Sequence, residues 1–105
     1  MDKYSKVLIT GVDGFTGRYL RIILADHGFE CLSLGCDLLD KEAVLTRVIS
    51  VAPNYVVHLA GMSFAAEKNI AALYDVNVSG TLNLLNALRQ LPSPLKKVIL
   101  ASSAN

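Results

Sequence analysis

Residues 6–24 of the chain read KVLITGVDGFTGRYLRIIL. The apolar run at the start predicts a buried strand, and the pattern after the glycines is that of an amphipathic helix. Gly11, Gly14 and Gly17 lie between the two in the spacing G-x-x-G-x-x-G. A strand that turns directly into a helix leaves several helix N–H groups unpaired at a partly positive end, where phosphate binds well. The stretch therefore predicts a dinucleotide-binding turn, and a tight turn without a ligand is the alternative.

Each glycine has a separate role in such a turn. Gly11 lets the chain leave the strand sharply, Gly14 leaves room for a phosphate against bare backbone, and Gly17 lets the helix pack close to the strand. Phe15 and Thr16, at the start of the helical pattern, belong to the same predicted cofactor site.

The composition fits one small domain. The 105 residues are 52% apolar and 18% charged, with a mean hydropathy of +0.43. This apolar fraction is high for a small free-standing domain. Parallel strands that are buried on both faces explain part of the excess, and another explanation is that the chain is half of a larger protein. The net charge of +1 gives no field that would attract nucleic acid, so no nucleic-acid partner is predicted.

The cysteines and the apolar runs bear on location. Cys31 and Cys36 lie too close in sequence for a long crosslink and show no metal spacing, so we expect reduced thiols and no metal. The N-terminus, MDKYSK, lacks the apolar core of a signal peptide, and no run approaches the roughly 20 apolar residues of a membrane span. A cytoplasmic protein without membrane contact is therefore predicted.

Strand and helix patterns alternate along the chain. Gly28 is the predicted stop of the first helix, Asp40 the predicted N-cap of the second, and the third is expected to be uneven near Gly80. This alternation predicts an α/β fold, a Rossmann-like doubly wound parallel sheet of about five strands with flanking helices, in one domain over residues 1–105. The predicted strands are residues 7–9, 29–34, 37–40 (abbreviated), 55–59 and 98–100; the predicted helices are residues 15–27, 41–51 and 69–90.

Several segments resemble one family, the extended short-chain dehydrogenases/reductases, which contains nucleotide-sugar epimerases, dehydratases and reductases. Its glycine turn, T-G-x-x-G-F-x-G, is matched by residues 10–17. The run D-x-x-D-x-x-A-V at residues 37–44 is similar to the reductases of deoxy-sugar nucleotides, dTDP-4-dehydrorhamnose reductase and GDP-6-deoxymannose reductase. Residues 58–61 (HLAG), 77–85 (NVSGTLNLL) and 102–105 (SSAN) resemble the family's H-L-A-A/G, N-V-x-G-T-x-N-L-L and S-S-x-x-V-Y-G.

The resemblance implies a nicotinamide dinucleotide cofactor, NAD or NADP, across the carboxyl ends of the strands. Asp37 and Leu38 are expected at the adenine, with a turn or capping aspartate as the alternative. Leu59, Ala60 and Gly61 are expected along the nicotinamide-side ribose and the pyrophosphate. These residues and the glycine turn form the predicted cofactor site.

Two further residues carry roles implied by the resemblance. Asn77 is expected to tie the long helix to the active-site strand. Ser103 matches the family's catalytic serine or threonine and would hydrogen-bond the reacting oxygen of the substrate. His58 titrates near neutral pH, but a histidine inside an apolar strand is more often a satisfied structural residue, so we do not predict a general base there.

The cofactor preference stays open at the sequence level. Residues 34–36 lack the acidic residue that usually binds the adenosine ribose, so nothing there repels a 2′-phosphate. Arg18, beside the glycine turn, either supplies charge to such a phosphate or is a solvated helix residue.

The family's acid/base pair, a tyrosine and a lysine in Y-x-x-x-K, does not occur in this chain, because no tyrosine here has a lysine four positions later. The resemblance therefore covers the family's N-terminal part. We expect a truncated cofactor-binding domain that lacks the catalytic Tyr/Lys segment and the substrate domain, and that is inactive by itself.

Together these patterns predict the NAD(P)-binding part of a nucleotide-sugar epimerase, dehydratase or reductase, which passes hydride between a sugar carbon and nicotinamide. The alternatives are a non-catalytic redox sensor acting through a protein partner, a methyltransferase-type nucleotide site and a pure interaction module. A second apolar stripe on the long helix, which includes Val78 and Leu82, predicts a homodimer unless other parts of the same chain cover it.

Overall fold

A parallel sheet with helices on both faces forms the centre of the protein in a computed structural model, which describes residues 5–11, 15–59, 75–92 and 96–100. The strand order is β2-β1-β3-β4, and every neighbouring pair is parallel. The predicted doubly wound α/β fold is therefore confirmed. The elements are β1 (Lys6–Thr10), α1 (Phe15–Asp26), β2 (Glu30–Ser33), α2 (Lys41–Val51), β3 (Tyr55–His58), a π-helical turn (Asp75–Gly80), α3 (Thr81–Leu88) and β4 (Lys97–Leu100).

Alternate residues of the central strands supply two cores on opposite faces of the sheet. Leu8 and Val56 point to the face covered by α2 and α3, where Val44, Val48 and Leu84 are fully buried. The other face is covered by α1. Its core contains Val7, Ile9, Val57 and Leu59, with Leu20 and Leu24 of α1 packed against them. Burial on both faces explains why these strands are continuous apolar runs.

Residues 37–40 were predicted as an abbreviated strand, and the structure shows a turn instead. The backbone N–H of Asp40 donates to the carbonyl of Asp37 at 2.9 Å, and the N–H of Leu39 donates to the Asp37 side chain at 2.9 Å. An aspartate that bonds its own backbone two residues on favours a turn over a strand. The described part of the sheet therefore has four of the five predicted strands.

The predicted start of α2 is confirmed. Asp40 has extended backbone angles, and its side chain accepts the N–H of Ala43 at 3.2 Å, as an N-cap does. The helix ends at Val51, and Ala52 follows in the left-handed region with φ 49°.

The predicted irregularity of the third helix is also confirmed. The π-helical turn ends at Gly80, and regular α-helix begins at Thr81. A Cβ placed on Gly80 would lie 3.0 Å from Cβ of Leu38, so glycine permits a close approach there. Residues 69–74, the start of the predicted helix, lie outside the described residues.

The strand order reverses direction between β1 and β3. From β1 the chain first adds β2 on one side and then crosses to place β3 on the other side. In open parallel sheets this switch point leaves a crevice at the carboxyl ends of the strands, where ligands bind. Thr10 and His58, the last residues of β1 and β3, are register partners at that edge. No helix among the described ranges is both long and apolar enough to cross a membrane.

Candidate functional site

The glycine turn follows β1 at the switch point. Gly11 has a φ of 78°, in the left-handed region that favours glycine, which agrees with its predicted role at the exit from the strand. Helix α1 begins at Phe15, and Gly17 is buried in its first turn. The N-terminal end of α1 thus lies close along the chain to the carboxyl edge of the sheet. Gly14 lies outside the described residues, as do the side chains of Phe15 and Thr16, so their predicted roles stay predictions.

A network of hydrogen bonds joins the carboxyl ends of β1 and β3, directly before the glycine turn in the sequence. Nδ1 of His58 is 2.6 Å from Oγ1 of Thr10, and Nε2 is 2.8 Å from Oγ1 of Thr81. The hydroxyl of Thr10 also accepts the backbone N–H of Leu59 at 3.0 Å. Thr10 and His58 are 2% and 3% exposed, so the bonds at Thr10 are shielded from water, whereas the bond to the half-buried Thr81 is partly shielded.

The environment of His58 keeps its ring neutral. Burial lowers the pKa of His58 below its ordinary value. A neutral imidazole has one donor and one acceptor nitrogen, and a threonine hydroxyl can serve either one. Both ring nitrogens are therefore satisfied within the fold. The prediction of a structural histidine is confirmed by these contacts.

The same chain of bonds joins three sequence motifs. Thr10 begins the glycine-turn motif, His58 begins H-L-A-G, and Thr81 lies in N-V-x-G-T. The sequence placed each motif separately, and the structure connects them through one imidazole ring. The carboxyl ends of β1 and β3 and the start of α3 are thereby held in a fixed relation.

The turn after β2 holds Asp37 and Leu38, the residues predicted at the adenine. Asp37 is exposed, and one of its oxygens accepts the N–H of Leu39. Leu38 is buried and belongs to the core beneath α2 and α3. The amide of Asn83, on α3, donates from Nδ2 to the carbonyl of Leu38 at 2.9 Å. The predicted turn aspartate is thus observed, and its predicted role at the adenine stays a prediction.

Sequence reasoning assigned no role to Asn83 or to Arg47. Arg47 of α2 donates from Nε and Nη2 to the carbonyl of Ser33, at 3.2 and 2.9 Å, and from Nε to that of Leu34 at 3.1 Å. Its guanidinium therefore fixes the carboxyl end of β2, where a dinucleotide fold binds the adenosine ribose. The sequence feature that could have pointed to Asn83 is its position in the G-T-x-N segment, directly after the predicted irregularity at Gly80.

The thiol of Cys36 lies near the same end of β2. Its pKa is raised, first by burial and next by the nearby carboxylate of Asp40, while the charge of Arg47 opposes the shift. The thiol is therefore protonated near neutral pH, and Cys31, whose pKa burial also raises, is in the same state. Both cysteines are free, which agrees with the predicted reduced thiols.

The remaining predicted residues are only partly described. Leu59 donates its backbone N–H to Thr10, and its side chain is buried in the core beneath α1. Asn77 is described through its backbone alone, within the π-helical turn. Ala60, Gly61 and Ser103 lie outside the described residues. In the part of the chain that is described, no group of three His, Cys, Asp or Glu side chains is arranged to hold a metal ion.

Comparison with known proteins agrees with this geometry. The sequence matches the NAD dependent epimerase/dehydratase family over residues 7–105. It is 29% identical to a UDP-glucose 4-epimerase of Mycoplasma genitalium, over 98% of this chain and 30% of that protein. It is 34% identical to a dTDP-4-dehydrorhamnose reductase of Aggregatibacter actinomycetemcomitans (79% of this chain, 30% of that protein) and 33% identical to a GDP-6-deoxy-D-mannose reductase of Pseudomonas aeruginosa (80% and 29%).

Solved structures show the same architecture. An epimerase from Methanothermobacter thermautotrophicus is 27% identical, with a TM-score of 0.80 over 97% of this chain and 36% of that one. The UDP-glucose 4-epimerase of Thermus thermophilus, solved in complex with NAD, is 29% identical, with a TM-score of 0.70 over 81% of this chain and 34% of that one. The chain thus spans about a third of the length of the proteins that it matches. The family match, the switch-point geometry and the shared motifs agree, and the chain belongs to the NAD-dependent epimerase/dehydratase family.

Proposed function

We propose that residues 1–105 form a cofactor-binding domain that holds NAD or NADP across the carboxyl edge of the sheet, as part of a nucleotide-sugar epimerase, dehydratase or reductase. The observation that carries the proposal is the position of the glycine turn. Gly11, with its φ of 78°, follows β1 at the switch point, where β1 and β3 end side by side. A dinucleotide lies across such a crevice.

Three parts of the chain would hold the cofactor. Backbone N–H groups of residues 11–17 would bind the pyrophosphate, because the N-terminal end of α1 carries partial positive charge. Asp37 and Leu38 would meet the adenine, and residues 59–61 would lie along the nicotinamide-side ribose. Asn77 would tie the turn before α3 to the strand at the reacting centre.

The residues around the end of β2 accept either cofactor. Leu34, Gly35 and Cys36 bring no carboxylate to the place where a ribose 2′-hydroxyl or 2′-phosphate would lie. Gly35 is exposed, and no atom beyond its two chain neighbours lies within 4 Å of a placed Cβ, so this side of the turn is open. A 2′-phosphate would meet neither a like charge nor a steric block at residues 34–36.

The bound cofactor would accept or supply hydride at its nicotinamide ring. Ser103 would hydrogen-bond the reacting oxygen of a nucleotide-sugar substrate and stabilise the charge that develops there. Proton transfer needs a further acid/base group, and the 105 residues contain no Y-x-x-x-K. We therefore expect turnover from the complete protein and none from the isolated 105 residues.

The exposed apolar side chains of the π-helical turn and α3 support a homodimer. Val78 and Leu82 are 38% and 54% exposed, whereas Leu84 and Leu88 of the same helix are buried against the sheet. A helix on one sheet needs a single apolar stripe, so a second stripe fits a contact with another helix. We propose that a second copy of the protein covers it. We also propose that the protein works in the cytoplasm, which the two free cysteines support.

Calorimetric titration of NADH and NADPH tests the proposed site. The substitution Gly14→Val should abolish binding, because its side chain would fill the space for phosphate beside the backbone. Ala25→Val is the control, since it introduces the same side chain at an exposed position near the far end of α1. Unchanged affinity in Gly14→Val would reject the site, and equal losses in both variants would indicate misfolding instead.

A further inference from the structure

Asn83 makes a long-range contact that the proposed function does not use. Its side-chain amide donates to the carbonyl of Leu38 at 2.9 Å, across 45 positions of sequence. Asn83 is half-buried on α3, on the side that packs against the turn after β2. A charge-neutral amide that reaches a backbone carbonyl in a partly buried place fixes that carbonyl in one orientation.

The peptide unit between Leu38 and Leu39 links this bond to Asp37. The carbonyl of that unit accepts from Asn83, and its N–H, which belongs to Leu39, donates to Oδ1 of Asp37 at 2.9 Å. A peptide unit is planar and rigid, so the direction of its carbonyl also determines the direction of its N–H. Asn83 therefore acts on the Asp37 carboxylate through one rigid group.

The side chain of Leu38 is held as well. Leu38 is 8% exposed, and a Cβ built on Gly80 would lie 3.0 Å from the Cβ of Leu38. Gly80 and Asn83 thus hold the turn after β2 in place, Gly80 by close packing and Asn83 by a hydrogen bond. An exposed aspartate in such a turn has its carboxylate direction fixed before any ligand arrives.

We propose that Asn83 is a positioning residue for recognition of the adenine base: it orients the 38–39 peptide, which holds Oδ1 of Asp37 so that the other carboxylate oxygen accepts the adenine amino group. This inference rests on the proposed function, because it takes Asp37 to be the adenine ligand. It adds a residue of α3 that never touches the cofactor.

The test compares two dinucleotides that differ only at the base. Reduced nicotinamide hypoxanthine dinucleotide has a carbonyl oxygen where NADH has the amino group, so that position of the base can no longer donate to Asp37. Calorimetry of the complete wild-type protein should show NADH bound roughly ten-fold or more tightly than the hypoxanthine analogue, as expected for a hydrogen bond to a charged group.

Asn83→Asp keeps the shape of the side chain and removes the donor. Its NADH affinity should fall until the two dinucleotides differ by no more than about two-fold, while affinity for the hypoxanthine analogue stays within about two-fold of wild type. Asn83→Ala, which adds no charge, should give the same ratio and replaces Asn83→Asp if that variant does not fold. Asn86→Asp, at an exposed position of the same helix, is the matched control and should keep the wild-type ratio.

Three results would overturn the inference alone, and a fourth would also reject the proposed function. Retained discrimination in both Asn83 variants would show that the base is oriented without this amide. Equal losses for both dinucleotides would show a general structural role. Wild-type protein that binds both dinucleotides tightly and equally would remove Asp37 from the adenine and leave the proposed dinucleotide site standing, whereas wild-type protein that binds neither would reject the proposed function itself.

Discussion

Nδ1 of His58 lies 2.6 Å from Oγ1 of Thr10, and the two residues are register partners at the carboxyl ends of β3 and β1. This contact fixes the edge of the sheet where the glycine turn begins. The ring then reaches Thr81 on α3, so one buried imidazole connects the two strands that flank the switch point to a helix. His58 thus contributes to the site by holding β1, β3 and α3 in a fixed arrangement around it.

The hydroxyl of Thr10 is expected to matter more to stability than that of Thr81. Thr10→Val leaves a nearly fully buried imidazole nitrogen without its partner, which costs about 1–3 kcal/mol. Thr81→Val acts at a half-buried position and should cost about 1 kcal/mol or less. Urea unfolding measures both. Thr46→Val, on the exposed side of α2, should stay within about 0.5 kcal/mol of wild type, and a Thr10→Val cost no larger than this control would contradict the account.

Acid should destabilise the protein through His58. Burial lowers the folded-state pKa of His58, so the unfolded chain binds the proton more readily and stability rises with pH. The contribution is complete above the ordinary pKa of about 6.5 and is lost as pH falls from there towards the folded-state pKa.

Urea midpoints between pH 7.5 and 5 test this dependence. His58→Asn should lose part of the wild-type slope below about pH 6.5, whereas the exposed His27→Asn should keep it. Equal slopes in wild type and His58→Asn would show that the buried ring does not take part in acid destabilisation.

Gly80→Ala should destabilise the protein, although alanine is the better helix former by about 1 kcal/mol. Its Cβ would lie 3.0 Å from Cβ of Leu38, and overpacking of this kind costs about 1–3 kcal/mol. The neighbouring exposed position gives the control, since Ser79→Ala should be neutral or slightly stabilising. A Gly80→Ala variant that is more stable than wild type would show that Leu38 and the π-helical turn can shift apart to accommodate the added methyl group.

Leu82→Glu should separate the subunits of the homodimer that we propose for the complete protein. Leu82 is 54% exposed on α3, and a buried carboxylate in an apolar contact between helices is unfavourable. Sedimentation velocity at micromolar concentration measures the change. Ile22→Glu is the matched control on α1, on the opposite face of the sheet, and should leave the dimer intact. If the wild-type protein is a monomer at that concentration, other parts of the same chain must cover the apolar stripe that includes Val78 and Leu82.

Local sequence patterns were sufficient for most of the fold. The apolar runs located β1, β3 and β4, and the Asp40 cap located the start of α2, because each of these depends on neighbouring residues. Residues 37–40 were wrongly predicted as an abbreviated strand, because the side chain of Asp37 bonds the backbone two residues on and so favours a turn.

The contacts at the site were less accessible from the sequence. The hydrogen bonds of His58 depend on the register of β1 against β3, and the bonds of Asn83 and Arg47 join residues 45 and 13 or 14 positions apart. No spacing rule in a single sequence predicts which distant carbonyl such a side chain will reach. The motifs indicated which segments meet, and the bonds between them required the structure.

We propose above that a nicotinamide dinucleotide binds across the carboxyl edge of the sheet at the switch point. Hydrogen–deuterium exchange of the complete protein, with and without saturating NADH, tests it most directly because it reports where the ligand binds. Binding there should slow exchange in residues 8–17, 34–39 and 57–61, with little change at the opposite edge around Asn54 and Lys96. Unchanged exchange in all three segments, or protection confined to another surface, would contradict the account.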